Sequence, residues 1–265
     1  MNSDTSRSMM TELISYFAHE QGLTVPGTEG ALEEQLWVVL RALMNTRPAG
    51  LPPERIVAVQ DQLLQHIIAE RGVATVDDTA LVPGYPALRL WRGDITTLAV
   101  DAIVNAANSQ MTGCWAAGHE CIDNAIHTFA GVQLRNYCAQ LMAAQGELES
   151  TGRAKLTPAF NLPAEYVIHT VGPIAQGNPT PIHAEQLARC YVSCLDAARA
   201  AGVQTLALCG ISTGVFGYPA RAAARIAVTT VKRWLAQHDT SLTVIFNVFS
   251  EHDEAIYREL LGCPA

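Results

Sequence analysis

Positive charge is scarce in this chain. Its 265 residues carry 17 Lys and Arg against 25 Asp and Glu, a formal net charge of −8. That balance repels a phosphate backbone, so no nucleic-acid partner is expected. A small phosphate-bearing ligand remains open, because backbone N–H groups at a helix N-terminus hold phosphate without basic side chains. The chain also lacks any apolar run of the roughly 18 residues a membrane helix needs, and no membrane partner is expected. Residues 1–10 are polar, without the apolar segment of a secretory leader, which points to a cytoplasmic protein. Nor is there an internal repeat or a low-complexity tract. Seven cysteines, at positions 114, 121, 138, 190, 194, 209 and 263, make an odd set that does not suggest a disulfide framework. Most should be reduced and packed as small hydrophobes. Only Cys114 and Cys121 have neighbours that suggest more.

What is present is an ordinary globular balance, 49% apolar and 16% charged. The length suits one large domain plus a smaller one, with a core that needs no staple. Helical spacing of apolar residues predicts helices over 9–20, 30–46 and 53–71, with Pro53 tolerated in the first turn of the third and Gly72 as a stop. The stretch 21–30, with Pro26 and three glycines, reads as a loop. Residues 73–87 read as a connecting segment. Beyond them the pattern changes to strands at 88–91, 101–105, 165–170, 205–209 and 242–247. These alternate with helices at 119–130, 131–145, 183–202, 219–237 and 252–261. The alternation predicts a mainly parallel sheet covered on both faces, with a ligand crevice at the C-terminal strand ends.

Four polar clusters fall at or just after those strand ends. They are Arg92-Gly93-Asp94-Ile95, Asn105-Ala106-Ala107-Asn108, the Gly-rich run 210–217, and Asn247-Val248-Phe249-Ser250. Each alone has a plainer reading. Gly-Asp makes turns, paired Asn residues cap strands, and a single aromatic packs in a core. The Gly-rich run says more, since glycines admit a pyrophosphate to the backbone and the helix near Pro219 offers free N–H groups. Recurrence at successive strand ends is what favours a ligand site.

The runs WRGDITTLAVDAIVNAAN, LPAEYVIHTVGP, CGISTGVFGYP and FNVFSEHDEAIY, in this order over about residues 88–262, resemble the landmarks of the macrodomain family, in its MacroD-type hydrolase branch. The resemblance implies a three-layer α/β/α macrodomain with a mixed, mainly parallel sheet over residues 81–265, preceded by an all-helical extension over 1–80. It also implies ADP-ribose as ligand. Asp94 would accept from the adenine amino group, with Ile95 beside it. Asn108 would hold the distal ribose, the backbone of Ser212, Thr213, Gly214, Val215 and Phe216 would cradle the diphosphate, and Phe249 would lie against the adenine or its ribose.

One segment departs from that pattern. The family's glycine tract after the Asn pair is replaced by the longer run from Ser109 to Ile122, after which Asp123, His127 and Gly131 fall back into register. The new loop holds Cys114, His119 and Cys121. Two thiolates and an imidazole suit zinc, and three ligands leave the open position of a catalytic site. The spacing C-x4-H-x-C matches no common finger pattern, so an incidental cluster is the plainer alternative.

This arrangement resembles zinc-containing macrodomains encoded beside a class of sirtuins and a lipoyl carrier protein. Their helical extension is matched by LRALMNTRP (40–48) with Gln60 and Asp61. The resemblance implies a Zn2+-dependent hydrolase that removes mono-ADP-ribose from a modified protein, as an ester to Asp or Glu. Asp123 and Asn108 are the catalytic candidates. Asp123 also reads simply as the start of a helix, and His127 and His169 as packed histidines. The alternatives are an ADP-ribose reader with structural zinc, and a deacetylase of O-acetyl-ADP-ribose.

Overall fold

A computed structural model describes residues 3–24, 27–28 and 30–264. Of the expected 21–30 loop, Val25, Pro26 and Glu29 lie outside the described residues. Three helices come first: α1 (Ser3–Glu20), α2 (Glu33–Thr46) and α3 (Glu54–Glu70). Their apolar stripes bury Leu13, Ile14 and Phe17 from α1, Leu36, Leu40 and Leu43 from α2, and Ile56, Leu63 and Leu64 from α3. Val132, from beyond the extension, completes this small core. α1 starts at Ser3, before the expected position 9, and buries Ser6.

The remaining elements are β1 (Ala74–Thr75), β2 (Ala80–Val82), β3 (Tyr85–Arg92), β4 (Leu98–Ala99), β5 (Ala102–Ala107), α4 (Ile122–Ala130), α5 (Val132–Gln145), β6 (Ala154–Pro158), β7 (Tyr166–Val171), α6 (Pro181–Ala200), β8 (Thr205–Leu208), α7 (Ala220–Gln237), β9 (Thr243–Val248) and α8 (Glu251–Leu261). The main sheet has seven strands in the order β2-β3-β9-β8-β5-β7-β6. The five inner strands are parallel, while β2 and β6 are antiparallel edges. β1 and β4 form a separate short parallel pair. The architecture is the expected three-layer α/β/α arrangement with a mixed, mainly parallel sheet and helices ahead of it.

Several boundaries differ from expectation, each for a local reason. Residues 73–87 are not a plain connector, since β1, β2 and the start of β3 lie within them. The helix expected at 119 begins at Ile122. Cys121 is extended (φ −98°, ψ 159°) and caps the helix, its sulfur accepting from Asn124 N–H at 3.4 Å. The helix expected at 183 begins two residues earlier, at Pro181, because Thr180 caps it and proline suits the first helical position.

The helical extension docks on α4 and α5. Trp37 stacks on Phe129 with ring centroids 5.7 Å apart. Gln60 accepts from Val132 N–H (3.1 Å) and donates to Gln133 Oε1 (2.8 Å), and Asp61 accepts from Gln133 (2.8 Å) and Asn161 (2.6 Å). The Val132 bond satisfies the first N–H of α5, which has no intrahelical partner.

Candidate active site

Because the inner strands run parallel, β3, β5, β7, β8 and β9 all deliver their C-terminal ends to one side of the sheet. A cleft of about 600 Å³ opens there. It is lined by Asn108, Cys114, His119, Cys121, Asp123, the run Ser212 to Phe216, and Phe249. The structure thus brings together eleven of the thirteen residues singled out in the sequence.

Asp94 and Ile95 are the two it does not place in the cleft wall. The Asp94 carboxylate caps a short 3-10 turn, accepting from Thr96 N–H (2.9 Å) and Thr96 Oγ1–H (2.6 Å), and it pairs with Arg71 at the end of α3. Ile95 is buried. The cleft comes within one residue of them. Gly93 donates its N–H to Val248 O (3.0 Å), and Asn247, which lines the cleft, donates to Gly93 O (3.0 Å).

The 210–217 loop is a built structure. Ser212 sits at φ 65°, a conformation few non-glycine residues adopt. Tyr218 N–H returns to Ser212 O at 2.8 Å, and Gly217 N–H to Gly214 O at 2.9 Å. Phe216 O accepts from Ala175 and Gln176, which ties the loop to the segment after β7. The N–H groups of Gly214, Val215 and Phe216 donate to no protein acceptor among the described residues. They are free to meet anionic oxygens just before α7, where the helix dipole favours negative charge. At the rim, Phe249 is 77% exposed and Val215 79%. An aromatic ring left in water beside a cleft is a ready platform for a flat heterocycle.

At the other end lies Asp123, in the first turn of α4 and only 5% exposed. Its Oδ1 accepts from Asn105 Nδ2 at 2.8 Å and its Oδ2 from Asn108 Nδ2 at 3.3 Å. Burial pushes its carboxyl up to about 6, against the opposing pull of the Asn105 hydrogen bond and the Arg135 charge. Asn105 had no assigned role in the sequence, yet it orients the buried carboxylate. Its second amide hydrogen reaches His169 Nδ1 at 3.1 Å, which leaves His169 Nε2–H to donate to Thr157 Oγ1 at 3.0 Å. Burial drives the His169 imidazole down to about 3, so it stays neutral. His127 is buried too. Burial first, then His169 and Arg135, hold it well below its ordinary range. Its Nε2 stands 3.6 Å from Asp123 Oδ1, beyond hydrogen-bond reach.

Between the two ends hangs the loop that carries the candidate metal ligands. One ligand atom from each of Cys114, His119 and Cys121 lies within 4.8 Å of the others. Cys114 Sγ and His119 Nδ1 are 3.6 Å apart. Zinc bonds to sulfur and nitrogen at the tetrahedral angle place those atoms about 3.6 Å apart. The donor set and its spacing therefore fit zinc, and all three residues line the cleft. Burial raises the Cys121 thiol to about 11, eased by the Asn124 N–H and reinforced by Cys114. A bound cation would favour the Cys121 thiolate.

Residues without an obvious sequence signal also shape the cleft. Trp115 and Glu120 come from the loop, Gly172 from the end of β7, and Asp253 and Tyr257 from α8. Among the described residues, no helix is long and apolar enough to cross a membrane.

Comparison with known proteins agrees with this geometry. The Macro domain family model matches residues 104–227. A protein-ADP-ribose hydrolase of Treponema medium is 49% identical over 264 residues, covering 97% of this chain and all of that protein. One from Staphylococcus aureus is 46% identical over 233 residues, covering 88% and 87%. A Trypanosoma brucei macrodomain solved in complex with ADP-ribose superposes with a TM-score of 0.65 at 30% identity, over 83% of this chain and 95% of that one. By the family match and these likenesses, the chain belongs to the macro domain family.

Proposed function

We propose that the protein is a protein-ADP-ribose hydrolase that binds mono-ADP-ribosylated protein, with zinc held by Cys114, His119 and Cys121. One observation carries the reading. The free N–H groups of the 214–216 turn, the Asn108–Asp123 pair and the three-ligand loop all open on a single cleft. The likeness to hydrolases from Treponema, over 97% of this chain, and Staphylococcus, over 88% of it, supports it.

In this reading the diphosphate lies on the Ser212–Phe216 backbone and the adenine against Phe249, with Gly93 and Asp94 at its edge. Asn108 orients the distal ribose toward Asp123. Asp123, held by Asn105 and Asn108, takes a proton from the attacking water or from a ribose hydroxyl. Zinc, when bound, supplies Lewis-acid stabilisation of oxygen charge at the distal ribose. The bond broken joins ADP-ribose to an Asp or Glu side chain as an ester, and a lipoyl carrier protein is one fitting bearer of the modification. A reducing cytoplasmic setting goes with this reading, since the thiol ligands must stay reduced. We divide the chain at about residue 80 into a helical extension and the macrodomain.

The test is release of ADP-ribose from a mono-ADP-ribosylated protein, alongside metal analysis. The intact chain should carry one zinc and turn over. Cys114→Ala should lose the metal and at least 100-fold in kcat while keeping its fold and ADP-ribose binding. Binding without release would leave a reader of ADP-ribose. Faster reaction with O-acetyl-ADP-ribose than with modified protein would make deacetylation its chemistry.

A further inference from the structure

The loop from Met111 to Cys121 contains no helix or strand. Something else must fix it, because zinc ligands have to converge to within a few tenths of an ångström. Beside two bonds within the loop, His119 N–H to Ala116 O and Trp115 Nε1–H to Thr112 Oγ1, most of the bonds that do so come from outside it, two of them from the helical extension. Arg41 on α2 donates to His119 O at 2.9 Å. Asn45, one turn further on, accepts from Gly118 N–H at 3.0 Å. Arg135 on α5 donates to Thr112 O (2.7 Å) and Cys114 O (3.4 Å), and its guanidinium lies over the Trp115 ring at 4.2 Å. Asn124 on α4 donates to Ala116 O (3.0 Å) and is itself held by Arg41 Nη2 at 2.9 Å.

These side chains form one connected unit. The other arm of Arg135 donates to Met44 O, Asn45 O and Arg47 O at 3.3, 2.7 and 2.7 Å. Carbonyls at a helix C-terminus have no partner within the helix. A single buried cation therefore satisfies the end of α2 with one edge and grips the loop with the other. Asn45 also donates to Thr128 Oγ1 at 2.9 Å, which fixes α2 on α4 beside the loop. Two of the gripped carbonyls belong to the candidate ligands Cys114 and His119, and the gripped N–H precedes His119.

We infer that Arg41, Asn45 and Arg135 are positioning residues that hold Cys114 and His119 in ligating register, making the helical extension a working part of the catalytic site. The inference deepens the proposed function and rests on its metal reading. A free loop of this length would lose conformational entropy when it closed on an ion, and pre-ordering removes that penalty. Partners of metal ligands contribute in this way, and their loss typically weakens metal affinity 10–100-fold.

Arg41→Ala and Asn45→Ala in the full chain test it with two readouts. The first is zinc affinity by competition with a chromophoric chelator, together with kcat and the ADP-ribose dissociation constant. Zinc affinity should fall 10–100-fold and kcat with it, while ADP-ribose affinity stays within about twofold. Arg41→Lys, which keeps a donor for His119 O, should recover part of the loss. The second readout is hydrogen exchange of the metal-free chain, in which the amides of 112–121 should exchange at least tenfold faster in the Ala variants than in the parent. Unchanged loop exchange and unchanged zinc affinity would overturn the inference. So would exchange raised evenly along the whole chain, which would mark a loss of general stability. A parent chain that takes up no zinc removes the metal reading, and the exchange data then decide the clamp by themselves.

Discussion

Phe249 and His169 show how differently two aromatic residues of one site can work. Phe249 packs against little of the protein, so its removal should leave the fold intact. Phe249→Ala is expected to weaken ADP-ribose binding by about 5- to 20-fold, roughly 1–2 kcal/mol of aromatic contact, with an unchanged melting temperature. Titration calorimetry checks it. His169 is buried, neutral and bound on both ring nitrogens. Its folded-state pKa, about 3, lies below the ordinary value of 6.5. Acid therefore protonates the unfolded chain first, and the stability held above pH 6.5 drains away as pH falls toward 3. His169→Gln should flatten that loss between pH 6.5 and 4, read as melting temperature against pH. An equally steep loss in the variant would assign the acid sensitivity to other groups.

Residue identity was legible around the strand ends that open on the cleft. The Gly-rich 210–217 run and the Asn pair at 105 and 108 announce themselves by type and by their place after a strand. Arg135 gives no such sign, and Arg41 and Asn45 stand out only as part of the LRALMNTRP run, with no role attached. Arg41 and Asn45 bond partners 73 to 83 positions away along the chain, Arg135 bonds carbonyls 21 to 91 positions away, and a lone arginine on an amphipathic helix looks like solvent-facing charge. The Arg71–Asp94 pair escapes for the same reason. The resemblance offers Asp94 as acceptor for the adenine amino group, and in the fold much of its hydrogen-bonding capacity goes to Arg71 and Thr96.

Among the elements, the five inner strands were visible in sequence because both their faces are covered, which demands the apolar runs that mark them. The edges were not. β6 is mostly half-buried, and β2 exposes Leu81. Strands of this kind are held by main-chain pairing with β7 and β3 more than by any side-chain pattern. The start of α4 was misplaced because its cap is a cysteine, outside the usual Ser, Thr, Asp and Asn. The loop after β8 supplies a prediction at this scale. A Cβ on Gly172 would come within 2.0 Å of Ser212 Oγ. Ser212 is already at positive φ and has little room to give. Gly172→Ala should therefore displace the 212–216 turn and weaken ADP binding at least tenfold, while adenosine, which has no phosphate to place there, binds nearly as before. Equal losses for the two ligands would show that the turn is not the diphosphate cradle.

Among the described residues there are two apolar cores, one among α1–α3 and one around the sheet. Two cores usually suggest two units that melt separately. Here Val132 of α5 belongs to the smaller core, Trp37 stacks on Phe129, and Gln60 and Asp61 bond to the start of α5 and to Asn161. We expect one calorimetric transition with equal van't Hoff and calorimetric enthalpies. Two resolved peaks would show that the extension folds by itself.

The embedding of Arg135 bears on how such a site is inherited and engineered. Its guanidinium serves the end of one helix and the start of the ligand loop at once, so neither partner is complete alone. Transplanting Cys114 to Cys121 into a macrodomain without the three leading helices would carry over the thiols and the imidazole without their scaffold. The loop is not a portable cassette. A designer who wants the metal must move α2 with it, and a lineage that discards the helices gives up the loop's support in the same deletion.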